Sequence, residues 1–340
     1  MATLEAPRCG SGAIRIQRSV LLRPFQQTGD GRSAFSGDDQ PRQRTVRAAS
    51  GSGRLNSVVQ ICSTAMHRDM GWSIFSSDFS NIDATADPTE FVRFMDDANA
   101  MDFFRSAKER TYALLALQAG NQVLDVGCSA GDDVRALAGI VGPTGRAVGI
   151  DSSQSMIDTA RRRSAGDTGV EFRVGDAQQL DFADNTFDAC RTDRVLQHLS
   201  DPQRTVYEMV RILRPGGRLV AFEPDTGALL LDAPDKPVTR KILTFRSDAV
   251  RSGWIGRQLR RLFMTAGLTD VEVLVMPSPR IDYAHTNASL RLDYYARCAA
   301  DAGVISQAEA TRWSESLAAW AADGFFFCLV TMFLVAGLKP

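Results

Sequence analysis

Nowhere in its 340 residues does this chain hold the roughly 20 consecutive apolar residues a membrane-spanning helix needs, so no span is expected. Its longest apolar run, Phe325–Ala336, has the length of a buried strand. The first residues lack a continuous apolar segment of the kind a secretory signal requires. Six cysteines (Cys9, Cys62, Cys128, Cys190, Cys298 and Cys328) show neither CxxC nor finger spacing. They read as reduced, buried thiols of an intracellular protein, and no metal site is expected. A dominant charge is also missing. The formal net charge is -1, which removes any global reason to expect nucleic acid or an anionic membrane as partner. No internal repeat is visible.

What is present is a chain with 44% hydrophobic residues, enough for a sizeable core. Residues 1–66 carry nine Arg against four acidic residues and show no sustained periodicity. They read as a disordered leader or extension, with the working protein starting near Met66 or Met70. The alternative is an organellar transit peptide, which would change the expected location from cytoplasm to organelle. Residues 67–119 read as an N-terminal helical cap, with Phe91, Phe94 and Met95 at helical spacing behind Pro88.

From residue 120 strands and helices alternate. Apolar strands are expected at Val123–Val126, Ala147–Ile150, Val170–Val174, Phe187–Arg191 and Arg218–Phe222, with helices between them. Arg214-Pro215-Gly216-Gly217 reads as a helix stop. Such alternation implies βαβ units and a parallel sheet covered on both faces. The expected fold is α/β: a Rossmann-like, seven-stranded, mostly parallel sheet whose last strand, Phe325–Gly337, is antiparallel. A connector (Asp225–Gly256), a helix (Arg257–Ala266), a strand (Asp270–Val275) and a helical lid insertion at 278–324 complete residues 120–340. The lid and the N-terminal cap should cover the open edge of the sheet. Aromatics in those segments (Trp72, Phe75, Phe79, Trp254, Tyr283, Tyr294, Tyr295 and Trp313) read mostly as core, with a minority lining a pocket.

The first strand enters a tight turn, Val123-Leu124-Asp125-Val126-Gly127-Cys128-Ser129-Ala130-Gly131, and the next helix opens on Asp132 and Asp133. A dinucleotide fingerprint would need glycines where Ser129 and Asp132 stand, and two aspartates at that helix start would repel a pyrophosphate. The ligand should therefore be neutral or cationic near this loop. Asp151 ends the second strand, where a carboxylate can accept hydrogen bonds from both hydroxyls of a ribose. Asp176-Ala177 ends the third, and Asp193–Leu199 follows the fourth. Ligands of open α/β sheets bind outside these carboxyl ends.

This series resembles the class I S-adenosylmethionine-dependent methyltransferases, in the small-molecule branch similar to quinone-biosynthesis methyltransferases. The resemblance implies S-adenosyl-L-methionine as cofactor. It also implies that Gly127 and Gly131 lie against the methionine part, Asp151 holds the ribose, Asp176 and Ala177 meet the adenine, and the Arg191 main chain accepts from the ammonium. Asp125 would brace the loop. Ser129, where the family has glycine, is expected to keep a negative φ. The implied reaction moves a methyl group to a small, fairly apolar organic acceptor, with homodimerisation left open. His198 and Glu223 are the candidate catalytic groups flanking the acceptor mouth, with Asp193 and Asp225 in reserve. For His198, packing on a helix face is the competing role; for Glu223 the alternatives stand level. Rival readings are a cyclisation or rearrangement on the same fold, a non-catalytic binding partner, and an NAD-dependent oxidoreductase, which the failed fingerprint disfavours.

Overall fold

The computed structural model describes residue 79, residues 81–85 and residues 87–340, all within one compact unit. The leader at 1–66 and the aromatics Trp72 and Phe75 lie outside the described residues.

Two helices, α1 (Thr89–Ala100) and α2 (Asp102–Leu115), precede the first strand. There follow β1 (Gln122–Val126), α3 (Asp132–Val141), β2 (Arg146–Asp151), α4 (Gln154–Arg163), β3 (Val170–Val174), β4 (Phe187–Asp193), α5 (Pro202–Ile212) and β5 (Leu213–Pro224). Beyond these come the two-residue β6 (Leu230–Leu231), α6 (Lys236–Ala249), α7 (Ile255–Thr265), β7 (Thr269–Arg280), α8 (Tyr283–Leu290), α9 (Leu292–Asp301), α10 (Gln307–Ala322) and β8 (Cys328–Leu338). Strands β3, β2, β1, β4 and β5 are parallel in that spatial order. β8 then runs antiparallel between β5 and β7, as expected of the last strand. The seven long strands are those foreseen; β6 is an addition, pairing with the start of β8 beyond the end of β5.

Both faces of the sheet are buried because neighbouring residues on each strand point opposite ways. Leu124, Val148, Cys190, Leu219 and Val335 face α5 and α7. Their neighbours Val123, Ala147, Ala189, Val220 and Leu334 face α2, α3 and α4. Local chemistry fixes the helix starts. The Ser153 hydroxyl accepts from the Met156 amide at 3.2 Å, and Asp201 accepts from the Arg204 amide at 3.0 Å behind Pro202.

Three expectations need correction. The connector Asp225–Gly256 contains α6, a 14-residue helix whose N-cap Asp235 accepts from the Val238 amide at 3.0 Å. Its Val238, Ile242 and Phe245 pack with α9 and α10 in a separate cluster that also holds Trp313 and Leu317. The strand at Asp270–Val275 is longer, reaching Arg280 through Pro277 and Pro279. Prolines fit there because β7 pairs only with β8, so residues two apart can turn their missing N–H toward the open edge. Arg214–Gly217 is not a plain stop turn but a bulge inside β5, where pairing with β4 jumps from Phe187–Leu213 to Ala189–Arg218.

Buried Trp313 on α10 donates from its indole Nε1 to the Thr239 hydroxyl on α6 at 2.9 Å. Trp313→Ala should therefore cost about 3–5 kcal/mol of unfolding free energy. Urea unfolding checks this, and a loss below 1 kcal/mol would show that the lid cluster is not cooperative with the sheet.

Candidate functional site

A cavity of about 660 Å³ opens at the carboxyl ends of β1–β5. Its wall includes seven of the eleven candidate site residues named from the sequence: Gly127, Asp151, Asp176, Ala177, Asp193, His198 and Asp225. Asp125, Gly131, Arg191 and Glu223 lie behind the wall.

Below the β1 turn is a buried ion cluster. The fully buried Arg191 guanidinium donates from Nη1 to Asp125 Oδ1, lies 3.0 Å from Asp133 Oδ2 as well, and donates from Nη2 to Asp193 Oδ2, each at 3.0 Å. Asp133, in the first turn of α3, also accepts from Lys108 Nζ at 2.6 Å and from the Tyr112 hydroxyl, both on α2. Asp193 accepts from Arg194 Nε at 2.7 Å. Burial works against the charge on Asp133, yet Arg191 and Lys108 outweigh it and hold the carboxyl well below the usual range. Asp193 is likewise burdened by burial and held low by Arg194 and Arg191. Asp125 is the exception: burial pushes it up to about 7 against the pull of Arg191. This cluster ties β1, β4, α2 and α3 together. The Arg191 main chain, expected to meet the ligand, lies between Asp125 and Val220 within the sheet; Asp193, two residues on, is the β4 side chain at the wall.

The turn above the cluster is held by Asp151. Its Oδ2 accepts from the Ser129 amide and its Oδ1 from the Ser153 amide, both at 2.9 Å, while burial raises its pKa despite those amides. Ser129 has a φ of +48°, not the negative value expected, so a non-glycine residue occupies the left-handed region there. The Asp151 contact to its amide and a hydroxyl contact to Met156 Sδ at 3.6 Å accompany that strain. Gly127 is required by packing: at φ +76°, an added Cβ would sit 2.2 Å from Val195 Cγ2. On β3's end, Asp176 Oδ1 accepts from the Gln178 amide at 2.8 Å.

After β4, Val195–Leu199 turns along the cavity. Glu223 does not flank the mouth. It is buried, and its Oε1 accepts from the Val195 and Leu196 amides at 2.8 and 2.7 Å. Burial pushes its carboxyl up to about 8, so near neutrality it is mostly a proton-bearing brace for the turn that carries His198. The imidazole of His198 stacks on Phe79 with ring centres 5.4 Å apart. Asp225 is ion-paired to Arg257, whose Nε lies 2.7 Å from Asp225 Oδ2.

Residues 124–221 match a protein family described as a methyltransferase domain, and that stretch holds every expected cofactor contact. An uncharacterized 37.1 kDa protein in transposon TN4556 of Streptomyces fradiae is 36% identical over 334 residues, covering 96% of this chain and 88% of that one. The ubiquinone/menaquinone biosynthesis C-methyltransferase of Pseudomonas fluorescens is 34% identical over 46% of this chain and 66% of its own length. The demethylmenaquinone methyltransferase of Staphylococcus aureus is 36% identical over 34% of this chain and 48% of its own. The chain carries a methyltransferase domain of the S-adenosylmethionine-dependent kind. It spans about half to two thirds of the two quinone methyltransferases it matches.

The walls suit that cofactor. Asp151 and Asp176 present carboxylates where a hydroxylated, positively charged ligand would lie, beside the apolar Ile150, Met156 and Ala177. Sequence reading missed the Arg191 side chain, Lys108 and Tyr112. The visible signal was a charged residue in the apolar fourth strand, and Lys108 with Tyr112 one helical turn apart.

Arg191→Met should destabilise the methyltransferase by about 3–5 kcal/mol near neutral pH, because buried carboxylates lose their counter-charge. The pH dependence has a definite sign. Asp133 and Asp193 are held low, so their contribution is present above the unfolded carboxyl pKa and vanishes on acidification. Urea unfolding at pH 7 and pH 3 should show the deficit of the variant shrinking as pH falls below the ordinary carboxyl range; a gap that widens would contradict the cluster.

Proposed function

We propose that the protein moves a methyl group from S-adenosylmethionine to a small, largely apolar organic acceptor. The observation that carries this is the single cavity shared by two unlike walls. One end holds Gly127, Asp151, Asp176 and Ala177; the other is built by Phe94, Met95 and Phe104 from the N-terminal helices, by Phe79 ahead of them, and by Leu229, Tyr295 and Met332.

On this reading Asp151 binds the ribose hydroxyls with lone pairs left over from its two amide contacts. Asp176 and Ala177 take the adenine, and Gly127 with Asp193 takes the amino-acid end. The bound cofactor supplies a methyl group already activated on a sulfonium, so the chain's task is to align an acceptor atom and exclude water. The N-terminal helices and the lid helices provide that exclusion. His198, stacked on Phe79 at the wall, takes the acceptor's proton where that atom is a hydroxyl of ordinary acidity. Glu223 acts through the turn it braces and is a positioning residue. The acidic end of the cavity also weighs against a dinucleotide, whose pyrophosphate would meet carboxylates.

The test is methyl transfer from labelled cofactor into a metabolite extract, alongside calorimetric titration with S-adenosylhomocysteine. The wild type should yield a labelled low-molecular-weight product, and Asp151→Ala should stay folded, with some loss of stability from its two released amides, and bind the product nucleoside at least tenfold more weakly. Unchanged affinity would remove Asp151 from the site; binding with no labelled product would favour a cyclisation or rearrangement.

A further inference from the structure

The cavity is electrically lopsided. Carboxylates mark the end at β2 and β3, whereas the lid end carries Arg246, Arg251, Arg280, Arg291 and His285. Of the other wall carboxylates, Asp193 and Asp225 are already engaged by Arg191 with Arg194 and by Arg257, and Asp97 stands on α1 of the N-terminal cap.

Two of the lid-end arginines are placed unusually. Arg246 stands on α6 with only 9% of its surface exposed, its Nε donating to the Leu290 carbonyl at 3.2 Å and its guanidinium 5.5 Å from the Tyr295 ring. Arg280 ends β7 opposite Cys328 of β8, and its buried Nε has no hydrogen-bond partner. Among the described residues no ion pair joins either guanidinium to a carboxylate; Tyr295 and Cys328 are the ionisable neighbours felt by Arg246, and Cys328 is the one felt by Arg280. Burial pushes the Cys328 thiol up to about 11 against the pull of both guanidiniums. Arginine stays charged in proteins, and a buried charge without a counter-ion is costly. Arg191, buried within the sheet, shows the contrast, since it has three carboxylates for one guanidinium.

We infer that the acceptor carries an anionic oxygen group, a carboxylate or phosphate monoester, that Arg246 and Arg280 hold at the lid end of the cavity. Guanidinium donors in a planar fork suit such oxygens. The acceptor's apolar body then lies along Leu229, Val330 and Met332, which directs its far end to the carboxylate-lined cofactor wall. Opposite charges at the two ends give each ligand one place and one orientation. The inference rests on the small-acceptor reading, and its test is separable from that reading.

Octanoate, octyl phosphate and octanol, matched in chain length, are titrated calorimetrically into the full-length protein with and without saturating S-adenosylhomocysteine. At least one anion should bind tenfold or more tightly than octanol. Preference for octanoate identifies a carboxylate acceptor, and preference for octyl phosphate identifies a phosphate monoester. Arg280→Gln should abolish the preference and Arg280→Lys should keep part of it, with S-adenosylhomocysteine affinity unchanged in both; Arg246→Gln, if it folds, should behave like Arg280→Gln. Octanol binding as tightly as both anions, binding of neither anion at millimolar concentration, or an undiminished preference in Arg280→Gln would each overturn the inference. Failure of S-adenosylhomocysteine to bind the wild type would instead overturn the methyltransferase reading, whatever the anions do.

Discussion

One buried guanidinium organises the centre of the molecule. Arg191 stands in the middle of the sheet, where an unpaired charge would not be tolerated, and three aspartates from β1, α3 and β4 surround it. Each of those aspartates belongs to a segment that must be placed for the cavity to exist. Asp125 precedes the Gly127 turn, Asp133 opens α3, and Asp193 stands on the wall itself. Lys108 and Tyr112 extend the network to α2, so a helix of the N-terminal cap is registered on the sheet by the same charges. Removing one partner leaves the others buried and unpaired, which makes the arrangement all-or-none.

Above this floor the site is built by carboxylates that hold backbone. Asp151 grips the amides at Ser129 and Ser153, and Glu223 grips those at Val195 and Leu196. The two acids thus fix the turns after β1 and β4 before any ligand arrives, and rigidity of that kind is what in-line group transfer asks of a protein. They differ in exposure. Asp151 reaches the cavity wall and Glu223 does not, which separates a proposed ligand contact from a positioning residue.

Much of this was legible in the sequence, for local reasons. Short apolar runs such as Val123–Val126 and Ala147–Ile150 can be nothing but buried strands when helices alternate with them, and Asp151 and Asp176 fall at strand ends by simple counting. Other features depended on partners far along the chain. Arg191 meets Asp125 across 66 residues and Glu223 meets Val195 across 28, so neither residue's neighbours in sequence disclosed its role. Ser129 was expected at negative φ because serine prefers it; the amide contact to Asp151, 22 residues on, accompanies the left-handed turn. Helix α6 is a different miss. Its cap, Asp235-Lys236-Pro237, and its Val238-Ile242-Phe245 spacing were present locally, but it lay inside a stretch read as a connector. With α6 overlooked, Arg246 could not be placed on the wall.

The central claim is that the carboxyl ends of β1–β4, seated on the Arg191 cluster, form a site for S-adenosylmethionine. A crystal structure of the protein grown with S-adenosylhomocysteine tests it most directly. The ribose should hydrogen-bond to the Asp151 carboxylate, the adenine should lie by Asp176 and Ala177, and the amino-acid end should lie by Gly127 and Asp193. Nucleoside density placed at the Arg246–Arg280 end, or an empty carboxylate-lined wall at saturating ligand, would contradict it.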